Sequence, residues 1–122
     1  MDKTDLKLRT KQYALRILKL VAALPKTSAG RTIGNQIIRS GTSVGANYRA
    51  VCRARSIADF ISKLGIVIEE TDESAFWLEL IIEAKLLKKE LVAPLLQETL
   101  EILAIMIASS NTAQRNKKGN KK

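Results

Sequence analysis

The sequence predicts an all-α protein, an antiparallel up-down four-helix bundle with a disordered basic C-terminal tail. The 122 residues suit one domain, and because 46% of them are hydrophobic but only 4% aromatic, the core must be aliphatic. Apolar residues recur at helical spacing in four segments, whereas the alternating runs typical of strands are scarce. Pro25 and Pro94 lie where helix boundaries are expected. We therefore assign residues 1–110 to the bundle and residues 111–122 to the tail.

The first helix is expected at about residues 4–24. Thr4 is a suitable N-cap, and Pro25 ends the segment. Lys3, Lys7 and Lys11 form a row at i, i+4 spacing on the outside, where they either face solvent or contact a polyanion. Apolar residues at helical spacing form the seam of this helix: Leu6, Tyr13, Ile17, Leu20 and Leu24.

The second helix is expected at about residues 32–54, after a turn-rich segment at 25–30. It contains Gly34, Gly41 and Gly45 on one stripe. A glycine inside a helix costs about 1 kcal/mol relative to alanine, so these three predict the close approach of a neighbouring backbone. A phosphate-cradling loop is the weaker alternative, because the segment GTSVG has neither the lysine nor the preceding strand of a P-loop.

The third helix is expected at about residues 57–87, with Ser56 as its N-cap. Its apolar positions alternate spacings of four and three, as in a coiled coil. Trp77 lies outside this seam on a mixed face, against which another helix or another subunit would pack. The seam consists of Ile57, Ile61, Leu64, Ile68, Thr71, Ala75, Leu78 and Ile82.

The fourth helix is expected at about residues 92–109, with Pro94 in its first turn. No face is polar between residues 102 and 108, so we expect a subunit contact here. The oligomer interface that we predict consists of Ile102, Ile105 and Met106 together with Trp77. Residues 111–122 (NTAQRNKKGNKK) contain no large apolar side chain, which predicts disorder.

The net charge of +9 is unevenly distributed along the chain. No acidic residue lies between Leu6 and Ala58, whereas most of the acidic residues lie between Asp59 and Glu101. This asymmetry indicates pairing between basic and acidic helices, with surplus positive charge for a polyanion. The residues predicted to bind nucleic acid are Lys7, Lys11, Arg31, Arg39, Arg49 and Arg53.

The arginines of the second helix have two possible states. They are either free to contact phosphates or neutralised by Glu70 and Glu73, through ion pairs within or between subunits. Charge counting alone leaves both states open.

Several function classes are excluded by composition. The chain has no histidine and one cysteine, which rules out an intrachain disulfide, a Cys/His zinc site and a histidine-based triad. Glu70 and Glu73 could project together, but carboxylate di-metal bundles also use histidines. We therefore predict a protein that is not an enzyme and has no catalytic residue, metal or cofactor.

The N-terminal segment is charged, and the longest apolar run, residues 102–108, is far shorter than the roughly 20 residues that cross a bilayer. These two features predict a cytoplasmic protein without a membrane partner.

Three segments carry a family resemblance: RSGTSVGAN at 39–47, the hinge RARS with the following DF at 53–60, and KLGIVIEETDESAFWLEL at 63–80. They resemble the signature of a bacterial four-helix-bundle family associated with open reading frames in intervening sequences of 23S ribosomal RNA genes. The resemblance implies an up-down bundle that assembles into a ring, a homopentamer. The chain is also similar to the accessory protein of diversity-generating retroelements, a basic pentameric bundle that engages a reverse transcriptase and nucleic acid.

Two functions follow as hypotheses. The first is an oligomeric bundle that binds nucleic acid, most simply structured RNA, without strong sequence specificity, since no aromatic platform for base stacking is evident. The alternative is a protein-interaction scaffold or an accessory factor for a polymerase or reverse transcriptase.

Overall fold

The computed structural model describes residues 1–120, which form four helices: α1 (Lys3–Ala23), α2 (Ser28–Val51), α3 (Ile57–Glu83) and α4 (Lys89–Asn120). Each helix packs against the next, and α4 also contacts α1. The described residues contain no strand. The prediction of an all-α four-helix bundle is confirmed.

The helices begin where a side chain caps the first turn. Asp2 accepts a hydrogen bond from the Asp5 backbone N–H at 2.9 Å, so α1 begins before Thr4, the predicted cap. Thr27 accepts from the Gly30 N–H at 3.1 Å, which starts α2 earlier than residue 32. Ser56 accepts from the Asp59 N–H at 3.0 Å, and α3 begins at residue 57 as predicted. Each cap satisfies a backbone donor that has no partner inside the helix.

The third helix ends earlier than residue 87, because the chain turns into a left-handed conformation at Lys85, where φ is 56°. The Lys85 N–H donates to the Ile82 carbonyl at 3.0 Å, and the Leu86 N–H donates to the Ile81 carbonyl at 3.0 Å. This pair of bonds is a Schellman motif, which usually places glycine at the left-handed position.

The fourth helix is longer than predicted at both ends and continues to Asn120, so the prediction of a disordered tail is wrong from residue 111 to residue 120. Lys121 and Lys122 lie outside the described residues. Residues 113–118 (AQRNKK) include several good helix formers, and extending an existing helix avoids the cost of nucleation. Pro94 lies inside the helix and not in its first turn.

By length and composition alone, residues 89–119 of α4 could cross a membrane. The core helix of a soluble bundle meets the same criterion. One face of α4 lies in the bundle core, through Val92, Leu95, Thr99, Ile102 and Met106.

Two buried hydroxyl pairs cross the core. The Tyr13 hydroxyl hydrogen bonds with Thr99 Oγ1 at 2.6 Å and joins α1 to α4, while Ser74 donates to Ser40 at 2.9 Å and joins α3 to α2. Burial raises the pKa of Tyr13 to about 12, so its phenol stays neutral at physiological pH. Because an unpaired buried hydroxyl is costly, these pairs favour one axial register of the four helices.

Helices α1 and α2 approach closely along the glycines, which confirms the prediction from the glycine stripe. A Cβ atom on Gly41 would lie 2.7 Å from Ile17 Cγ1, and one on Gly45 would lie 3.2 Å from the Thr10 carbonyl oxygen. The missing side chains therefore allow the α1 backbone to pack directly on α2.

We expect Gly41→Ala to lower the free energy of unfolding by about 1–2 kcal/mol, because overpacking against the fully buried Ile17 outweighs the gain in helix propensity. Gly65→Ala is the matched control within a helix. Apart from its chain neighbours and the backbone of its own helix, no atom lies within 4 Å of the added Cβ, so this change should stabilise by up to about 1 kcal/mol. Urea denaturation measures both, and equal stabilities of the two variants would contradict the close packing of α1 on α2.

We expect Lys85→Gly to raise the free energy of unfolding by about 0.5–1 kcal/mol, because glycine adopts the left-handed conformation without strain. The control is Lys19→Gly, at an exposed position inside α1 whose φ is not positive, which should lower stability by about 1 kcal/mol. Thermal denaturation at fixed pH compares the variants. A destabilised Lys85→Gly protein would show that the lysine side chain is needed at this turn.

Candidate nucleic-acid interface

Antiparallel packing brings the start of α1, the end of α2, the start of α3 and the end of α4 to the same end of the bundle. We call this region the basic end. Several basic residues at this end form no ion pair with any described side chain. They are Lys3, Lys7, Lys11, Arg49, Arg53, Arg55, Arg115, Lys117 and Lys118. Asp2, Asp5 and Asp59 are the acidic residues nearby in sequence, so the region is strongly positive.

A groove between α1 and α2 gathers three of these cations. Lys7 and Lys11 line one wall and Arg49 the other, around a volume of about 380 Å³. Gly45 and Ala46 also line the groove, so small residues allow access to its floor. Three positive side chains around one groove can bind phosphate groups of a polyanion.

A second cavity of about 400 Å³ lies beside the turn between α2 and α3. Lys3 and Arg55 line it together with Ala113 and Asn116, which belong to the extension of α4. Our sequence interpretation missed this part of the surface because it assigned residues 111–122 to a disordered tail. The helix formers between residues 113 and 118 were the signal that could have identified it.

The structure brings together only some of the predicted nucleic-acid-binding residues. Lys7, Lys11 and Arg49 share the groove, and Arg53 is exposed just beyond the end of α2. Arg31 lies near the other end of the bundle, where it donates to the Lys26 carbonyl at 2.9 Å. Three of the predicted side chains thus meet at one site, and Arg31 lies away from it.

Arg39 is engaged by the acidic face of α3. Its guanidinium donates to Glu70 at 3.3 Å and also to Glu73, which in turn accepts from Trp77 Nε1 at 3.1 Å. Arg49 pairs with neither glutamate. The two carboxylates therefore join α2 to α3 through ion pairs with Arg39. Because these contacts occupy its guanidinium, Arg39 has less capacity to bind phosphate. Within residues 1–120, no group of three potential metal-ligating side chains is placed to hold an ion.

A second set of ion pairs, which joins α1 to α4, was not predicted from the sequence. Arg9 donates from Nε to Glu98 at 2.8 Å and from a terminal nitrogen to the other Glu98 oxygen at 2.6 Å, and it also contacts Glu101 at 3.2 Å. The hydrogen bond from Arg9 lowers the pKa of Glu98, although burial opposes this shift. The sequence could not identify this pair because the partners are far apart in the chain.

The predicted oligomer interface differs from the apolar surface that the structure exposes. Ile102 and Met106 are fully buried in the core of their own chain, and Ile105 and Trp77 are partly buried. Ile102 and Met106 therefore offer no surface to a second subunit. The large apolar side chains exposed on the helices are Leu8, Leu15 and Leu18 on α1, Ile66 and Phe76 on α3, and Leu91, Leu100 and Ile107 on α4.

Comparison with known proteins finds a family match and a similar solved structure. The model of the 23S rRNA-intervening sequence protein family matches residues 3–108. A crystal structure of a protein with unknown function, from the S23 ribosomal protein family of Bacteroides thetaiotaomicron VPI-5482, is 36% identical in sequence and has a TM-score of 0.79. The match covers 85% of this chain and 96% of that one. No curated protein matches the chain.

We expect the Arg9–Glu98 pair to make stability depend on pH. The pKa of Glu98 is lower in the folded state than its ordinary value of 4.5, so the stabilisation is present above pH 4.5 and is lost as the pH falls through the lower folded value. Glu98→Gln should cost about 1 kcal/mol at pH 7, and its difference from the unmodified protein should shrink in acid. Denaturant titrations between pH 7 and pH 3 measure this.

Glu83→Gln, at an exposed carboxylate without an ion pair, is the control and should change stability little at either pH. A Glu98→Gln difference that stayed constant across the titration would contradict the contribution of the pair.

Proposed function

This chain belongs to the 23S rRNA-intervening sequence protein family, and we propose that it is a non-enzymatic, self-assembling protein that binds nucleic acid through the basic end of its bundle. The observation that carries the proposal is the convergence of three cations, Lys7, Lys11 and Arg49, on one groove at this end, where none of them pairs with a described acidic side chain. Structured RNA is the proposed ligand, in keeping with a family described by an intervening sequence of ribosomal RNA.

The proposed contacts are to phosphates and not to bases. Tyr48, the aromatic residue nearest the groove in sequence, is buried, and Phe60 beside the second cavity is partly buried. Sequence-specific recognition of single strands depends on exposed aromatic or guanidinium platforms and on hydrogen bonds to bases. Lysine and arginine contacts to phosphates instead release counterions, so the binding would depend steeply on salt and weakly on sequence.

Self-assembly would strengthen this binding. A single basic end offers a few weak phosphate contacts, whereas several linked copies would engage one RNA by avidity. Exposed leucine, isoleucine and phenylalanine side chains on α1, α3 and α4 support association between copies. The family resemblance leads us to propose a closed ring of five copies.

We expect the double variant Lys7→Glu, Arg49→Glu to weaken binding to a structured ribosomal RNA fragment about tenfold or more at physiological salt. The slope of log affinity against log salt should also fall by about two, one for each lost phosphate contact. Fluorescence anisotropy over a salt series measures both quantities. The matched control is Lys88→Glu, Lys89→Glu, which makes the same charge change at the other end of the bundle and should preserve the slope.

A truncation after Ser110 tests the extension of α4, which carries Arg115, Lys117 and Lys118. It should weaken binding while leaving the dependence on Lys7 and Arg49 intact. Equal losses in the two double variants would indicate an effect of net charge alone and would contradict a site at the basic end. No RNA binding at physiological salt, together with capture of one acidic protein, would favour the scaffold for a polymerase or reverse transcriptase.

A further inference from the structure

The face of α1 that points away from the core carries an apolar stripe that the chain itself does not cover. Leu8, Leu15 and Leu18 are 57%, 59% and 44% exposed. Together with Lys11 and Ala22 they recur at spacings of three and four residues, and we call these five residues the outer α1 stripe. This pattern is typical of a helix that packs against another helix.

The outward face of α3 carries a second stripe. Ile66 and Phe76 are 46% and 51% exposed. With Glu69, Glu73 and Leu80 they recur at the same spacings of three and four, and we call these five residues the outer α3 stripe. Phe76 also packs edge-to-face on Trp77, with ring centroids 5.0 Å apart, which supports an aromatic surface here.

The two stripes have opposite charge. Lys7, Lys11 and Lys19 lie on or beside the outer α1 stripe, and α1 has no acidic residue after Asp5. The outer α3 stripe contains Glu69 and is flanked by Asp72 and Glu79, which form no ion pair among the described residues, whereas its Glu73 is already paired with Arg39. No basic residue lies between Lys63 and Lys85 in the sequence. Contact of either stripe with its own copy would bring like charges together, whereas contact between the two stripes would pair opposite charges.

We propose that the outer α1 stripe of one copy packs on the outer α3 stripe of a second copy of this chain, in a parallel, head-to-tail contact. This inference rests on the proposed self-assembly and names the surfaces that carry it. Helices α1 and α3 run in the same direction through the up-down bundle, so a rotation about an axis along the bundle keeps them parallel between copies. Such a heterologous contact uses both stripes of every copy and closes into a ring when the rotation permits.

The two stripes share a repeat of seven residues, and the register that places apolar side chains on apolar side chains at two positions and pairs one lysine with one glutamate is the one that we propose. Leu8 faces Ile66, Leu18 faces Phe76, and Lys11 faces Glu69 of the neighbouring copy. Leu8 and Lys11 also line the basic groove, so the neighbouring copy borders it in the assembly, and Lys7 and Arg49 are the groove cations that remain for phosphate.

Mixing two variants, each with one of the two stripes disrupted, tests the contact between copies. Leu15→Glu places a carboxylate in the outer α1 stripe, opposite an acidic surface, and Phe76→Glu places one in the outer α3 stripe. Both side chains are exposed, so circular dichroism should show unchanged helicity. We expect the unmodified protein to form an assembly, each variant alone to be monomeric, and an equimolar mixture to form one-to-one dimers, because one intact α1 stripe then meets one intact α3 stripe. Light scattering at tens of micromolar, without nucleic acid, measures the masses.

Ile107→Glu is the matched control, because it introduces the same charge at an exposed apolar position on α4 outside both stripes. It should assemble like the unmodified protein. Assembly of Leu15→Glu and Phe76→Glu at full mass, or a mixture that remains monomeric, would overturn the contact between stripes. A monomeric unmodified protein would overturn the self-assembly as well, so the two failures are distinguishable, and neither depends on RNA binding.

A charge exchange tests the register independently. Lys11→Glu should weaken assembly about tenfold, because it faces Glu69, and addition of Glu69→Lys in the same chain should restore it. Restoration supports the pairing of Lys11 with Glu69, and its absence would overturn this register.

Discussion

The close packing of α1 on α2 is the constraint on which the rest of the surface depends. It requires positions on α2 without side chains, because a Cβ on Gly41 would collide with the buried Ile17 and one on Gly45 would press on the backbone at Thr10. Each glycine weakens its helix by about 1 kcal/mol, which the packing of the buried α1 side chains must offset. The same approach brings Lys7 and Lys11 beside Arg49 and so creates the basic groove.

The cations of this molecule fall into two groups. Some form ion pairs that hold two helices together, and others have no ion-pair partner among the described residues and can contact a ligand. Arg9 ties α1 to Glu98 and Glu101 of α4, and Arg39 ties α2 to the acidic face of α3. Both sets of ion pairs are partly exposed, so their contribution to stability is modest and depends on salt and pH. They also shape the distribution of charge, because Arg9 and Arg39 are held by carboxylates, whereas Lys7, Lys11 and Arg49 line the basic groove without an ion-pair partner among the described residues.

The apolar surface is divided in the same way. One face of α1 and one face of α3 build the core, while the opposite faces retain exposed leucine, isoleucine and phenylalanine side chains. A monomer gains nothing from these outward stripes, since single exposed apolar residues are common but aligned ones mark contact sites. Nucleic-acid binding at the basic end and association through the stripes would therefore meet at one wall of the groove, because Leu8 and Lys11 belong both to the outer α1 stripe and to the groove lining.

The amino-acid pattern alone determined the number of helices, the close approach at the glycines and the separation of basic from acidic segments, because each follows from the local spacing of side chains. It did not determine which cations are free, since Arg9 and Glu98 meet only after α1 and α4 have packed. It also misjudged Ile102 and Met106, because two seams on α4 look alike in sequence and the neighbouring helices decide which one is buried. The extension of α4 beyond residue 110 lacked an apolar signal, yet the helix propagates through it. Tertiary packing determines which cations are paired and which face of α4 is buried, because ion pairing and burial depend on how each helix is rotated against its neighbours.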